Sequence, residues 1–137
     1  MKVNFVRVGE PHIEGYVRAE ALGDLNQFAN SECDTIFANN ILDSFSLHGA
    51  YEAISLMRSK LRMGGALVIG GTDLRLFCKS VINGSISSED GSQLVASCGS
   101  MHESNKVKHY LQQLGLVIDT SSIQGTHYEF KATRPNG

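Results

Sequence analysis

The run Ala66-Leu67-Val68-Ile69 constrains the fold most, because four consecutive apolar residues leave no polar face to turn toward water. Such a segment is read as a strand covered on both faces, the state of strands in parallel sheets. Immediately before it, from Ser46, the apolar residues Leu47, Ala50, Tyr51, Ile54, Met57 and Leu61 recur mostly at steps of three and four. That spacing paints one face of a helix, which Met63-Gly64-Gly65 is expected to end. Further upstream, Cys33-Asp34-Thr35-Ile36-Phe37-Ala38 reads as a strand that leaves the sheet at Asn39-Asn40. Strand, helix and buried strand in succession form a βαβ unit.

The remaining segments extend this unit in both directions. Val3 to Val8 reads as a strand stopped by Gly9-Glu10-Pro11, and Gly15 to Glu20 as a second short strand, with only a loop between them. Residues 83–100 hold Asn83-Gly84, Asp90-Gly91 and a scatter of serines, and are expected to form a long loop or lid. Ser104 offers an N-cap to a helix carrying Val107, Tyr110, Leu111 and Leu114, with Gly115 at its end. Leu116 to Ile118 and Thr126 to Ala132 are expected to pair as an antiparallel hairpin. The prediction is an α/β fold: one domain over 1–137, a three-layer Rossmann-like sandwich of six or seven mostly parallel strands with an antiparallel strand at the C-terminal end.

Composition narrows the function classes. With 42% hydrophobic and 19% charged residues the chain is too apolar to be disordered, and its 137 residues suffice for a core without metal or disulfide staples. Twelve basic residues against 14 acidic ones give a charge of −2 and no basic run, which disfavours non-specific nucleic-acid binding. Cys33, Cys78 and Cys98 are odd in number and form no CxxC pair, so a reducing compartment is the simpler reading. The start has no signal-peptide core, and no run reaches the length of a membrane span. A cytoplasmic protein is expected. Neither Gly-x-Gly-x-x-Gly nor a Walker-type Gly-Lys-Ser occurs, nor do Pro-Pro-Tyr or Pro-Cys elements of nucleic-acid methylation.

In an open α/β sheet, ligands bind beyond the carboxyl ends of the strands. If the strands are as read, Gly9, Glu20, Asp24 and Asn39 all lie there. The order of pieces there resembles a class I S-adenosylmethionine-dependent methyltransferase of the compact, single-domain kind. The resemblance rests on Gly9 six residues before Gly15-Tyr16, on Glu20 ending the short strand, and on Gly23-Asp24-Leu25 followed by the Cys33-Asp34-Thr35-Ile36 strand. It continues through Ile41-Leu42-Asp43-Ser44-Phe45, where the family often has Val-Leu-Glu-His, and Leu61-Arg62-Met63-Gly64-Gly65, similar to its Leu-Lys-Pro-Gly-Gly. Gly99-Ser100-Met101-His102 and Leu111 to Val117 resemble its later elements. In the first turn Arg7 stands where the family has a glycine, and Asp43-Ser44 where it has Glu-His.

The resemblance implies S-adenosylmethionine as cofactor, a methyl acceptor that is a small molecule or a sugar, and Gly9, Glu20, Asp24, Leu25 and Asn39 as cofactor-binding residues. Glu20 would accept from both ribose hydroxyls, Asp24 would face the adenine amino group, and Leu25 its ring. Each has a plainer alternative: a solvated strand-end acid for Glu20, and a helix cap for Asp24. Asp43 and His102 are the catalytic candidates, as general bases or substrate contacts, against a capping acid and a surface histidine. Two functions stay open. One is an enzyme; the other is a methyltransferase-fold protein that has lost the donor site and reuses a surface for a partner or for a homo-oligomer. Arg7 bears on the choice, since its side chain would either fill the methionine end of the pocket or be turned out of it.

Overall fold

The computed structural model describes residues 1–136. Six strands form one mixed sheet in the order β2-β1-β3-β4-β6-β5. They are β1 (Lys2–Phe5), β2 (Val17–Ala19), β3 (Cys33–Ala38), β4 (Leu61–Thr72), β5 (Val117–Gln124) and β6 (His127–Thr133). From β2 through β4 the pairing is parallel, and β6 runs antiparallel to both β4 and β5. The expected α/β class, the mostly parallel start and the antiparallel C-terminal strands are all present.

The apolar run does what its composition requires. Leu67 is in register with Ile36 on one side and Ala132 on the other, and Ile36 with Val3, so four strands contribute a continuous buried row. Helix α1 (Leu47–Lys60) lays Ala50, Ala53, Ile54 and Met57 into this core, with Ser46 accepting from the Gly49 amide as its N-cap. Val107 and Leu111 of α4 (Ser104–Gln113) join them beside β5 and β6. Helix α4 ends in a Schellman arrangement: the Gly115 amide donates to Gln112 O, the Leu116 amide to Leu111 O, and Gly115 takes φ +82°.

Strand β1 ends at Phe5 rather than Val8, and β5 runs on through the expected connection to Gln124 rather than stopping at Ile118; two other segments differ more. Helix α1 stops at Lys60, and β4 begins at Leu61 without a loop, so the glycines lie inside the strand. Cys33 pairs with Leu61 but Thr35 with Ala66, so Met63-Gly64-Gly65 belongs to a bulge. Gly65 is needed there, because a Cβ would lie 2.9 Å from Arg62 O and 3.1 Å from Cys33 O. The second difference is larger. The stretch 83–100, expected as a loop or lid, contains helix α3 (Ser88–Ser97), preceded by α2 (Leu74–Ile82). Capping accounts for both helices: Asp73 accepts from the Arg75 and Leu76 amides, and Ser87 accepts from the Asp90 amide. Glu89 and Asp90 add negative charge in the first turn of α3. At α4, Glu103 occupies the cap position, and the Ser104 hydroxyl donates instead to the Asp73 carboxylate.

Asn4 of β1 is 1% exposed, and neither its Oδ1 nor its Nδ2 has a hydrogen-bond partner among the described residues. An unpaired buried amide costs about 1–3 kcal/mol, and valine suits a strand. Asn4→Val is therefore expected to raise the unfolding free energy by about 1 kcal/mol in urea titration; an equal or lower value would show that the amide is satisfied.

Candidate functional site at the carboxyl edge

Every residue picked out for the edge follows a strand. After β1 the chain turns at Gly9, which takes φ +91° and has no atom within 4 Å of where a Cβ would sit. β2 ends at Ala19, and Glu20 follows with its carboxylate 3.3 Å from Arg18 Nη2. Asp24 lies in the 3-10 turn Leu22–Gln27, where its Oδ2 accepts from the Glu20 and Ala21 amides at 3.0 and 3.1 Å. Those two donors hold its carboxyl below the usual range. Asp24 is thus not the N-cap of a turn starting at Leu25: the turn starts at Leu22 with Ala21 as its N-cap, and Asp24 at the third position bonds back to the Ala21 amide. Asn39 leaves β3 half-buried, and the Asn40 amide donates to Glu10 Oε1 at 3.3 Å, tying the β3 exit to the β1 turn. Strands β2, β1 and β3 are neighbours, so Gly9, Glu20, Asp24 and Asn39 share one stretch of edge. Leu25 does not present itself there. It is 0% exposed and belongs to the core.

Asp43 and His102 come together, but inside. Asp43, in the 3-10 turn Ile41–Ser44, is 3% exposed. Its Oδ1 accepts from the Thr72 amide at 2.7 Å, and its Oδ2 from the Thr72 hydroxyl at 2.8 Å and the Cys98 thiol at 3.5 Å. His102 is 4% exposed, with Nε2 lying 3.2 Å from Leu42 O and 2.7 Å from Phe45 O. Both neighbours are carbonyls, so Nε2 carries the proton and donates. The two side chains thus hold the Ile41–Ser44 turn to the end of β4 and to the segment before α4. Expected at the surface for proton transfer, they are enclosed, with these polar atoms already engaged.

Three further residues complete this cluster. Gly70 and Gly71 let it close: a Cβ on Gly70 would lie 2.5 Å from Asn39 O, and one on Gly71 2.9 Å from Asp43 Oδ1 and 3.2 Å from Tyr128 Oη. The Tyr128 hydroxyl is buried without a partner among the described residues, and burial together with the charges of Asp43 and Asp73 pushes its phenol far above the usual value. Sequence reading missed all three; the Gly-Gly-Thr-Asp run straight after an apolar strand is the signal for Gly70 and Gly71, and nothing local signals Tyr128. Arg7 lies across this edge. Its Nη2 donates to Ser97 O at 2.8 Å, so the side chain links the exit of β1 to the last turn of α3.

No family model and no curated protein matches the chain. Solved structures do. A SAM-dependent methyltransferase from Archaeoglobus fulgidus aligns over 95% of this chain and 75% of its own length, with TM-score 0.64 and 13% identity. An O-methyltransferase family protein from Burkholderia thailandensis aligns over 89% of this chain and 36% of its own, with TM-score 0.65 and 18% identity. A candidate S-adenosyl-L-methionine-dependent methyltransferase from Methanococcus maripaludis aligns over 89% and 56%, with TM-score 0.55 and 12% identity. The chain therefore spans about a third to three quarters of these proteins, and it has the Rossmann-like fold of SAM-dependent methyltransferases.

The thiols probe the cluster. Burial and the adjacent Asp43 raise the Cys98 thiol above its ordinary value, and burial also raises Cys33, whereas Cys78 is exposed. Because the thiolate is the reactive form, iodoacetamide at neutral pH is expected to modify Cys78 first and Cys98 much later, with Cys98 accelerating only at pH above the ordinary thiol value. Equal rates by mass spectrometry would contradict the enclosed network.

Proposed function

We propose that this chain binds S-adenosylmethionine at the carboxyl edge of β1, β2 and β3 and transfers its methyl group to a small molecule or a sugar. The observation that carries the reading is the pairing of an open glycine turn with a strand-end acid on adjacent strands. Gly9 leaves free space where a backbone must approach a ligand closely. Glu20 spends Oε2 on Arg18 and keeps Oε1 for a ribose hydroxyl. Asp24, held ionised by two amides, stands beside it to accept from an amine, and Asn39 offers an amide from the next strand. Leu25 supports this edge from the core beneath.

When bound, the sulfonium supplies an electrophilic methyl carbon that an acceptor nucleophile takes in line with the breaking carbon–sulfur bond. The chain's part is to place that nucleophile and exclude water. Asp43 and His102 contribute by positioning the Ile41–Ser44 turn against β4, which sets where an acceptor lies relative to Asn39.

One observation favours a second reading, a methyltransferase-fold binding protein without a donor site. The Arg7 side chain spans from the β1 turn to Ser97, on the side where the methionine end of the cofactor would pass. Titration calorimetry with S-adenosylhomocysteine separates the two. Glu20→Ala is expected to weaken binding by about 1.5–3 kcal/mol, the loss of a hydrogen bond to a charged acceptor. Arg7→Gly is expected to strengthen it about tenfold, roughly 1.4 kcal/mol, by releasing the strap. No binding by the natural protein or by Arg7→Gly would favour the second reading, and unchanged affinity in Glu20→Ala would remove Glu20 from the site.

A further inference from the structure

Helix α2 is built to be covered and is not. Leu74, Phe77, Val81 and Ile82 follow one another at helical steps along one side, yet no residue of α2 is buried. Helix α3 approaches it closely at Gly91, where a Cβ would lie 3.3 Å from Val81 Cγ2. Beside this crossing is a cleft of about 520 Å3 walled by Phe77, Val81, Ile82 and Val95. A second cleft of about 270 Å3 shares Phe77, Cys78 and Val95 with the first and reaches Cys98 and Met101. The shared walls make one apolar trench. Its outer part is open, with Ile82 87% and Val95 55% exposed. Its inner end arrives at Cys98, whose thiol donates to Asp43, and at Met101, which precedes His102.

We propose that this trench holds the alkyl chain of an amphipathic methyl acceptor, with the acceptor's polar head at the Cys98–Met101 end. The proposal rests on the methyltransferase reading and names its substrate class. Three features select such an occupant. The outer cleft is mostly apolar, with Ser88 and Ser92 its hydroxyl-bearing walls, so the favourable term is chiefly removal of apolar surface from water. The outer cleft, at about 520 Å3, is of the size of small-ligand pockets, about 300–1,000 Å3, and the inner one adds about 270 Å3. The inner end of the trench adjoins the turn after β3, where the Ser100 amide donates to Asp43 O and the Cys98 thiol to Asp43 Oδ2, so a chain lying in it brings its head to the carboxyl end of β3, the strand that Asn39 follows. Ser100 supplies a hydroxyl at that end.

The test uses n-octyl β-D-glucoside below its micelle concentration, with glucose as head-group control and Val95→Lys as the variant. Val95 walls both clefts and lies outside the core, so circular dichroism is expected to be unchanged by the substitution. Calorimetry is expected to show binding of the octyl glucoside but not of glucose, weakened at least roughly tenfold in Val95→Lys. As a second readout, the octyl glucoside is expected to slow alkylation of Cys78, which lines both clefts. The proposal is overturned by absence of octyl glucoside binding, by equal binding of glucose, or by undiminished binding in Val95→Lys. It is also overturned if sedimentation shows a dimer that Val95→Lys dissociates, since a second copy would then cover the trench. A parallel S-adenosylhomocysteine titration keeps the two claims apart. Donor binding without octyl glucoside binding sinks the trench alone. Octyl glucoside binding without donor binding leaves an alkyl-chain site and overturns the acceptor role.

Discussion

A buried carboxylate with no cation at hydrogen-bond distance among the described residues organises this molecule. Asp43 is 3% exposed, and its carboxylate is met by neutral donors: the amide and hydroxyl of Thr72 and the thiol of Cys98. Desolvating a carboxylate is costly unless such bonds compensate, and each bond to a charged group returns about 1.5–3 kcal/mol. The arrangement therefore exists only when three segments meet at once: the turn after β3, the end of β4 and the residue following α3. The backbone joins in, because the Ser100 amide donates to Asp43 O at 2.8 Å. His102 repeats the pattern from the other side by donating to two carbonyls of the same turn and its exit. The carboxyl edge of the sheet is thus shaped by a polar knot beneath it, and the glycines at 70 and 71 are what let the knot close.

This explains which features were legible from sequence. Strand β3 was readable to its ends, because Cys33 to Ala38 is bounded by turn residues and carries strand formers. The C-terminal hairpin and α1 were readable because hydrophobic period is a local signal. Helix α3 escaped because it buries only Gly91, so burial period carried little information there, whereas α2 does carry a helical apolar period through Leu74, Phe77, Val81 and Ile82; the caps at Asp73 and Ser87 start the two helices. The start of β4 escaped because a Gly-Gly pair after a helix ordinarily marks its end, whereas here it forms a bulge fixed by Cys33 O and Arg62 O.

At the site, sequence located the residues better than it located their side chains. Gly9, Glu20, Asp24 and Asn39 follow strands β1, β2 and β3, as topology required. That Asp43 and His102 are enclosed rather than open was not legible, because burial at that point depends on Thr72, Cys98 and two carbonyls distant in sequence. Tyr128 was invisible for the same reason. Arg7 was legible as a departure in a glycine turn, but its partner, Ser97, lies 90 residues away.

The central claim is that a ligand of the adenosyl-donor class binds along the ends of β1, β2 and β3. Backbone amide NMR during titration with S-adenosylhomocysteine, using the Arg7→Gly protein alongside the natural one, tests it most directly. The account predicts saturable shifts concentrated at Gly9, Glu20, Asp24 and Asn39, with Leu67 and Ile69 in the core of β4 unmoved. Shifts confined to other faces of the molecule, or none in either protein, would contradict it.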